Sequence, residues 1–472
     1  MASNSSSASD SSVIVTVSVK RHSIRDTESV QNSVCQRVGM REAELMARDR
    51  WTRDDLLAFQ GERLRALLAH AVTYSRYYRE ALGADAAERP LTDLPTLSKA
   101  TLMAEFDHIL TDPLLRLADL QAHLASPDPL QSFLGAYRVA TTSGTTGRRS
   151  IVVFTTEEAA AWRAASGRPM LRLGIQAGPR FAALGSPSLV HVTRQVLVPP
   201  GVPTPRISAA TPIVELVAAL NAQQPEVLVG AVGVWRALAE EQIAGRLRIA
   251  PRAAFFSSEA VTSDVRRRVL QAWGIEPVSG YAATEAPTIA ASSPEHPELE
   301  IAEDVVVIEI VAEDGEPVAP GRPGAKVLLT NLINYAQPLI RYELTDSVVE
   351  SPLPNPAGRP WRCLLSIDGR TADILYFHGR DGATVPIHPS VLGSAVAPIA
   401  EVGEYSFVYD AQGLHAQVVL TSGAKADVTE RLRNSLISAV ASTGAVPPAV
   451  DVQPVAALHR EAGGKLRLVR SA

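Results

Sequence analysis

The sequence predicts an α/β protein. We expect a large N-terminal domain of mixed sheets with helices, including a β-rich subdomain, and a small α+β C-terminal domain. Short apolar runs alternate with helical segments over 181–273, which is typical of a largely parallel sheet. A long β run follows at 305–311. The 472 residues exceed the size of one hydrophobic core, so we expect two or three domains.

The first elements follow an N-terminal tail, residues 1–30, which begins with a run of Ser, Ala, Asn and Asp and is expected to be disordered. Residues 51–82 predict a helix, and Ser98 is the expected N-cap of a later helix. The side chains at helical spacing that predict a core-facing side of 51–82 are Leu57, Leu64, Leu68, Ala71 and Tyr78.

The remaining elements divide the chain into an N-terminal domain, 31–369, and a C-terminal domain, 370–472. Helices are expected at 157–172, 213–220, 234–243 and 263–273, and strands at 181–184, 227–229 and 253–256. The β-rich subdomain is expected to contain strands at 305–311 and 326–330 and a turn at 313–316. The C-terminal domain is expected to contain strands at 405–409 and 416–420 and a helix at 428–440.

Composition argues against several classes of protein. The net charge of −5 argues against a nucleic-acid partner, which favours a basic excess. Cys35 and Cys363 are the only cysteines, too few for a disulfide framework, and they favour a reducing compartment. No apolar stretch approaches the roughly 20 residues of a membrane span, and the N-terminus lacks a signal-peptide pattern. We expect a cytoplasmic monomer or homodimer without a membrane partner.

The most informative segment is a glycine loop, Thr141–Gly147, between two apolar runs that predict strands. Glycine lets the backbone approach an anion closely, and hydroxyl groups add hydrogen-bond donors. The loop therefore predicts a site for the phosphates of a nucleotide, with a flexible linker as the alternative interpretation. After Thr141 its residues are Thr142, Ser143, Gly144, Thr145, Thr146 and Gly147.

Five further segments carry candidate functional side chains. Ligands bind beyond the carboxyl ends of strands in open α/β sheets, so the segments after 253–256 and 276–279 are expected to line one cleft. The side chains and glycines of interest in the five segments are Ser258, Glu259 and Ala260; Gly280, Tyr281, Thr284 and Glu285; Asp346; Arg370; and Lys465.

The residue types suggest roles, each with a structural alternative. Tyr281 could stack on a base, or pack in the core. Glu285 could hold Mg²⁺, which prefers oxygen ligands, or be a solvated carboxylate. Asp346 could accept from ribose hydroxyls, or cap a turn. Lys465, between Gly464 and Leu466, could neutralise charge in a transition state, or belong to a frayed tail. Lysine is rare in this chain, with five against 40 arginines.

The order of these segments resembles the motifs of the adenylate-forming (ANL) superfamily, which includes acyl-CoA synthetases, nonribosomal adenylation domains and luciferases. The similarity spans roughly 94–470 and is strongest to the phenylacetate–CoA ligase branch and its capsule-biosynthesis-like relatives. The features that carry the branch resemblance are the segments 94–99, 258–260, 330–332 and 338–342.

The resemblance implies a role for each motif. The glycine loop would hold the β- and γ-phosphates of ATP, while Glu259 and Ala260, with neighbouring Ser258, would line the adenine pocket with Tyr281. Thr284 would contact the α-phosphate, Glu285 would hold Mg²⁺, and Asp346 and Arg370 would bind the ribose. Lys465 would bridge the acid and the α-phosphate. His191 falls where the family places an aromatic gate, with a loop histidine satisfied by local hydrogen bonds as the alternative. His191, Gly230 and Gly280 are the weaker candidates for the substrate pocket.

The implied activity is AMP-forming activation of a small carboxylic acid, aromatic by analogy, as its acyl-adenylate. Transfer to coenzyme A would follow, with the small C-terminal domain mobile between the two steps. Ala372 replaces the usual hinge residue, and 379–382 departs from the thiol-side pattern. These departures leave open adenylation of nitrite for diazotisation of an aryl amine. A third hypothesis is a nucleotide-binding homologue without catalysis.

Overall fold

The computed structural model describes most of the chain after residue 41. The described residues are 42–141, 150–175, 180–185, 188–197, 206–208, 211–257, 263–370, 373–379, 382, 384–387, 389–396, 399, 401–420, 424–459 and 468–471.

Several helices begin at side-chain caps that the sequence supplies. Thr52 and Asp55 cap each other reciprocally, because each backbone N–H donates to the other side chain at 3.1 Å. Ser98 is an N-cap as predicted, accepting from the Thr101 N–H at 3.1 Å. The helices are α1 (Glu42–Arg48), α2 (Arg53–Tyr74), α3 (Arg76–Leu82), α4 (Lys99–Ala104), α5 (Phe106–Ile109), α6 (Leu117–Leu124), α7 (Thr156–Arg172), α8 (Ile213–Gln223), α9 (Val232–Ile243), α10 (Ser263–Trp273), α11 (Pro389–Val396) and α12 (Val428–Ser442).

The strands follow the predicted order, with additional strands that were not predicted. They are β1 (Tyr137–Thr141), β2 (Ile151–Thr155), β3 (Phe181–Gly185), β4 (Arg206–Ser208), β5 (Val227–Ala231), β6 (Ala253–Ser257), β7 (Val278–Tyr281), β8 (Ala290–Ser293), β9 (His296–Ile301), β10 (Val306–Val311), β11 (Lys326–Asn331), β12 (Tyr342–Leu344), β13 (Asp346–Glu350), β14 (Cys363–Arg370), β15 (Leu375–His378), β16 (Thr384–Ile387), β17 (Val402–Asp410), β18 (Gly413–Leu420), β19 (Val450–Pro454) and β20 (Val469–Ser471).

The predicted single helix over 51–82 is wrong in two respects. The chain leaves the helix at Ser75, which is extended, and its hydroxyl donates to the His108 carbonyl at 2.8 Å. This serine also caps α3 by accepting from the Tyr78 N–H. The buried face runs through Leu56 rather than Leu57, which is 45% exposed. Leu57 therefore lies at the edge of the buried stripe of α2 instead of within it.

The largest sheet in the described ranges has nine strands, in the order β13-β14-β9-β8-β7-β6-β5-β3-β4. The part from β4 to β7 is parallel, as predicted from the alternation of strands and helices. The part from β7 to β13 is antiparallel. Because β6 and β7 are parallel neighbours, the segments that follow them leave the sheet at the same edge.

The elements predicted for the β-rich subdomain and for the C-terminal part of the chain are also present. β10, β11 and β12 form an antiparallel sheet, and the predicted turn at 313–316 closes with the Ala312 N–H donating to the Glu316 carbonyl at 2.9 Å. After residue 374, a hydrophobic cluster formed from residues 375–469 packs α11 and α12 on the sheet β19-β18-β17-β20. Leu432, Leu436 and Val440 are fully buried in that cluster, in phase as predicted.

An arginine–carboxylate network links the first helices to the antiparallel part of the large sheet. Its acids Glu300, Glu303 and Asp304 lie in or after β9 and are almost fully buried. Arg48 donates to Asp304 at 2.7 Å, and Arg359 donates to Glu300 at 2.7 Å. The other arginines of the network are Arg53, Arg168, Arg172 and Arg362.

Candidate active site

Part of the predicted site lies outside the described residues, and the roles given to those residues stay predictions. The strands that flank the glycine loop are described and form an antiparallel hairpin, in which Thr141 lies opposite Ile151. The hairpin therefore places the two described residues that flank 142–149 most closely in the ladder, Thr141 and Ile151, next to each other. The predicted residues outside the described ranges are Thr142, Ser143, Gly144, Thr145, Thr146, Gly147, Ser258, Glu259, Ala260 and Lys465.

Glu285 follows β7 and is buried, with 5% of its surface exposed. Its Oε1 accepts a hydrogen bond from the Tyr342 hydroxyl at 2.9 Å, and that tyrosine also interacts with the Ser150 hydroxyl, just after the glycine loop. Burial raises the pKa of Glu285, and the Tyr342 hydrogen bond and the charge of Lys99 offset only part of this effect. The ionised carboxylate is therefore costly unless a cation stabilises it.

Tyr342 reaches Glu285 because its segment is held against residues 92–99. The Leu97 N–H donates to the Arg341 carbonyl at 3.0 Å, and the Glu343 N–H donates to the Leu97 carbonyl at 3.0 Å. Arg341 has a left-handed φ of 49°, a conformation that costs a non-glycine residue about 1–3 kcal/mol. Two hydrogen bonds of 3.0 Å from its guanidinium to Glu309 hold this turn.

The residues predicted for adenine and ribose also come together. The Tyr281 hydroxyl donates to Asp346 Oδ2 at 2.8 Å, and the tyrosine is buried. Asp346 begins β13, where it lies directly opposite Arg370 of β14 in the antiparallel register. The charge of Asp346 also contributes to the raised pKa of Glu285, after burial. We call Ser150, Tyr281, Glu285, Tyr342 and Asp346 the Glu285 cluster.

Three other predicted site residues, the weaker substrate candidates Gly230 and Gly280 and the predicted catalytic residue Thr284, lie at or after the ends of β5 and β7. Gly230 has a packing reason, because an added Cβ would lie 2.0 Å from the Leu184 carbonyl oxygen, where β3 and β5 approach closely. At Gly280 the nearest atom to an added Cβ is the Phe256 carbonyl oxygen at 3.5 Å, an ordinary contact. Thr284 is partly exposed beside Glu285. Their roles toward substrate and phosphate stay predictions.

His191 lies beside the start of the glycine loop. It forms an isolated β-bridge with Thr141, whose N–H donates to the Val190 carbonyl at 2.9 Å. His191 Nδ1 accepts from the Thr193 backbone N–H at 3.3 Å, so the neutral ring carries its proton on Nε2. A π-helical turn, Thr193–Leu197, follows directly. The histidine is therefore next to the loop, and its gate role stays a prediction.

Among the described residues, His, Cys, Asp and Glu side chains form no group of three or more suited to a metal ion. Mg²⁺ does not require such a group, because it keeps several waters and shares ligands with substrate phosphates. Glu285 fits this binding mode, because it offers buried carboxylate oxygens whose ionised form lacks a full positive counter-charge, as its raised pKa indicates.

Sequence reasoning quoted Tyr342 and Lys99 as parts of motifs without giving either a role. Asn331, whose side-chain amide donates to the Glu285 carbonyl at 2.8 Å, was likewise part of a motif segment without a role, and Ser150 was missed. The signal available was the adjacency of these residues to motif positions: Ser150 follows the glycine loop and Asn331 lies in the segment 330–332. Which partner each one contacts depends on packing between distant segments.

A comparison with known protein families identifies the family of this chain. The model of the family described as AMP-binding enzyme matches residues 69–328, more than half of the chain. The chain belongs to the AMP-binding enzyme family. The resemblance to the adenylate-forming superfamily is thereby confirmed, and so is the prediction that the protein is an AMP-forming ligase.

Relatives of this AMP-binding enzyme include a phenylacetate-coenzyme A ligase of Thermus thermophilus, 26% identical over 376 residues, which cover 74% of this chain and 77% of that protein. A 2-hydroxyisobutyryl-CoA ligase in the postadenylation state has a TM-score of 0.67 at 21% identity, covering 88% of this chain and 89% of the other. A benzoate CoA ligase from Burkholderia xenovorans has a TM-score of 0.52 at 17% identity, covering 68% and 66%. These structural matches confirm the predicted α/β fold class.

Helices of the described ranges are all too short or too polar to span a lipid bilayer.

Proposed function

We propose that the protein is an ATP-dependent ligase that converts a small carboxylic acid into its acyl-adenylate and then transfers the acyl group to coenzyme A. The observation that carries the proposal is the Glu285 cluster. Three residues predicted for nucleotide binding, Tyr281, Glu285 and Asp346, meet beside the hairpin of the glycine loop, where Tyr342 holds Glu285 and Tyr281 holds Asp346. A structural role alone would not require these motif residues to converge there.

In this proposal each end of the nucleotide has its own residues. Asp346, held by Tyr281 and facing Arg370 across the β13–β14 register, binds the ribose. Glu285 binds the Mg²⁺ that accompanies ATP, and this ion supplies charge neutralisation on the phosphates. The raised pKa of Glu285 supports the assignment, because a neighbouring cation stabilises the ionised form that burial disfavours.

The chemistry assigned to the chain is positioning and charge neutralisation. The substrate carboxylate attacks the α-phosphorus in line, the bond between the α-phosphorus and the α,β-bridging oxygen breaks, and pyrophosphate leaves with the electron pair of that bond. Lys465, from the proposed lid domain 370–472, stabilises the developing negative charge. His191, which pairs with Thr141 at the start of the glycine loop, is assigned to the gate between ATP and the acid.

The acid is proposed to be aromatic and the acceptor to be coenzyme A. The support comes from the names of similar proteins: a phenylacetate-coenzyme A ligase at 26% identity, and structures of benzoate and anthranilate CoA ligases at 17% and 16%. The 2-hydroxyisobutyryl-CoA ligase, with the higher TM-score of 0.67, acts on an aliphatic acid. The experiment must therefore include aliphatic acids.

The experiment measures pyrophosphate release with ATP and Mg²⁺ across aromatic and short aliphatic acids, each with and without coenzyme A. Nitrite with aryl amines forms a separate arm. We expect release with an aromatic acid and an acyl-CoA product. Release only with nitrite would replace the substrate assignment, and ATP binding without any release would indicate a homologue that has lost catalysis.

Substitution of Lys465 tests its assigned role. We expect Lys465→Ala to lower pyrophosphate release by at least about 10³-fold while the Kd for ATP changes little, because the ammonium acts on the transition state. Lys425→Ala is the matched control, since it removes a lysine of the same C-terminal part that lies before α12. Wild-type release by the Lys465 variant would disprove the role.

A further inference from the structure

Along one edge of β2, four backbone groups hydrogen-bond to side chains rather than to a neighbouring strand. The Gln337 side chain accepts from the Val153 N–H at 2.9 Å and donates to the Ile151 carbonyl at 3.3 Å. Asn334 Nδ2 donates to the Val153 carbonyl at 2.9 Å. The Thr155 N–H donates to Glu158 at 2.7 Å. Since β2 is buried along its length, an unpaired edge here would be costly.

The same group of amides continues to Glu285. Asn331 donates to the Glu285 carbonyl at 2.8 Å, and its Oδ1 accepts from the Asn334 N–H at 3.0 Å. Asn334 Oδ1 in turn accepts from the Gln337 N–H at 2.9 Å. The side chains of these three residues are fully buried. A continuous chain of hydrogen bonds therefore runs from the backbone of Glu285 to the strand that begins just after the glycine loop.

We propose that Gln337 and Asn334 are positioning residues, whose side chains fix β2, and with it Ser150 just before the strand, relative to Glu285. The inference rests on the proposed function, in which the loop holds the phosphates and Glu285 holds Mg²⁺. The two groups must then keep a fixed separation to act on one triphosphate.

A rigid connection matters here because adenylation depends on geometry. Misplacement of a reacting group by about 1 Å can lower a rate by about 10²-fold. Strand β2 is already paired with β1 by backbone hydrogen bonds, so the side-chain amides of Gln337 and Asn334 are not needed to form the hairpin. Their distinct contribution is the connection from β2 to Asn331 and Glu285. A carboxamide makes that connection well, because one group can both donate and accept along a strand edge.

Two variants of Gln337 test the inference. Gln337→Met keeps the length of the side chain and removes both hydrogen bonds to β2. We expect pyrophosphate release at saturating acid to fall between about tenfold and a hundredfold, and the Kd for ATP to rise several-fold. Gln337→Glu keeps the acceptor for Val153, but donates to Ile151 only when protonated. We expect its activity, relative to wild type, to recover as the pH falls.

The matched control is Asn355→Leu, which removes a buried carboxamide of the same kind from the arginine–carboxylate network. Asn355 donates to Glu300 at 3.0 Å and accepts from the Ala357 N–H at 2.9 Å. We expect it to lower the melting temperature about as much as Gln337→Met, but to leave pyrophosphate release within twofold of wild type. Activities are compared at a temperature where circular dichroism shows all variants folded.

The outcomes separate this inference from the proposed function. Wild-type protein that binds ATP but releases no pyrophosphate with any acid contradicts the proposed function. In that case the Kd of Gln337→Met for ATP decides the inference: a several-fold rise supports it, and a wild-type value overturns it. Folded Gln337→Met with wild-type rates and a wild-type Kd overturns the inference alone. If Gln337→Met does not fold at any usable temperature, the pH profile of Gln337→Glu decides, and a profile parallel to wild type overturns the inference.

Discussion

Glu285 and Asp304 are both buried carboxylates, but their surroundings act on them in opposite directions. At Asp304, burial would raise the pKa, yet the guanidinium groups of Arg168 and Arg48 outweigh it and lower the pKa. At Glu285, burial raises the pKa, and the neutral Tyr342 hydroxyl and the Lys99 charge offset only part of that effect. The two acids therefore differ in counter-charge rather than in depth.

This difference separates a structural acid from one that is suited to bind a ligand. In the arginine–carboxylate network each acid is matched by arginines, so its charge is already neutralised within the protein. In the Glu285 cluster the acid is held in place by a hydroxyl, which orients the carboxylate without neutralising it. A cation from outside would gain most by binding at Glu285.

The largest expected effect on stability is in the network. Asp304→Asn leaves Arg48 and Arg168 buried without their carboxylate, which costs about 3–5 kcal/mol when one partner of a buried ion pair is lost. We expect chemical denaturation to report this loss, and pyrophosphate release per folded molecule to stay near wild type. A large loss of activity in the folded variant would contradict the division between the two regions.

Glu285→Gln should give the opposite result. We expect pyrophosphate release to fall by about 10²–10³-fold, because a ligand for the metal and its charge are removed. The midpoint of thermal unfolding should stay equal or rise, since the raised pKa means that the ionised acid destabilises the fold at neutral pH. Titration of activity with Mg²⁺ checks the cause. Unchanged activity of Glu285→Gln, or a melting temperature lowered as in Asp304→Asn, would contradict the contrast between a ligand-binding Glu285 and a structural Asp304.

Glu158 is a third buried acid, which accepts from backbone N–H groups rather than from hydroxyl or guanidinium groups. Burial raises its pKa to about 7, against partial compensation from the N–H groups of Thr155, Tyr335 and Ala336. A raised acid pKa contributes stability that is complete below the unfolded value and is lost as the pH rises through about 7.

The measurement compares wild type with Glu158→Gln by denaturant unfolding between pH 5 and 8. We expect the variant to become more stable relative to wild type as the pH rises, by on the order of 2 kcal/mol across that window, because only wild type must ionise a buried acid. Comparing the two proteins cancels groups that titrate equally in both. A difference in unfolding free energy that is the same at every pH would contradict the interpretation.

The sequence predicted helices whose apolar side chains recur at regular spacing, but it did not predict contacts between distant segments. The bounds of α10 match the prediction, because an amphipathic repeat and a following Gly274 define a helix locally. The break at Ser75 was missed, since it depends on a hydrogen bond to the His108 carbonyl, 33 residues away. Leu56 and Leu57 are adjacent, and only packing decides which of them faces the core.

The same limit applies to the candidate site. Tyr281, Glu285 and Asp346 could be selected because motif order and residue type point to nucleotide chemistry. The hydrogen-bond partner of Glu285 could not be selected in this way. Tyr342 is 57 residues away from Glu285, and it reaches Glu285 because the segment of Tyr342 pairs with Leu97. Gln337 and Asn334 carry no motif at all: buried amides are recognisable only once the strand edge that they satisfy is known.

The smallest effect is expected from Tyr342→Phe, which keeps Glu285 and removes only its hydrogen bond. A hydrogen bond to a charged group contributes about 1.5 kcal/mol or more, so we expect activity to fall about tenfold. That bond lowers the pKa of Glu285, so its loss raises the pKa further. A reaction that needs the ionised acid then requires a higher pH, and the acidic limb of the pH–rate profile should move upward.

The control for this variant is Tyr78→Phe, in which a buried tyrosine loses a hydrogen bond of 2.8 Å to the Pro338 carbonyl rather than to a carboxylate. It should lose about 1 kcal/mol of stability with no movement of the acidic limb. If Tyr342→Phe lowers stability by the same amount and leaves the acidic limb of the pH–rate profile in place, the Tyr342 hydroxyl acts as a packing contact only. Glu285 would then resemble the acids of the network more closely than its pKa indicates.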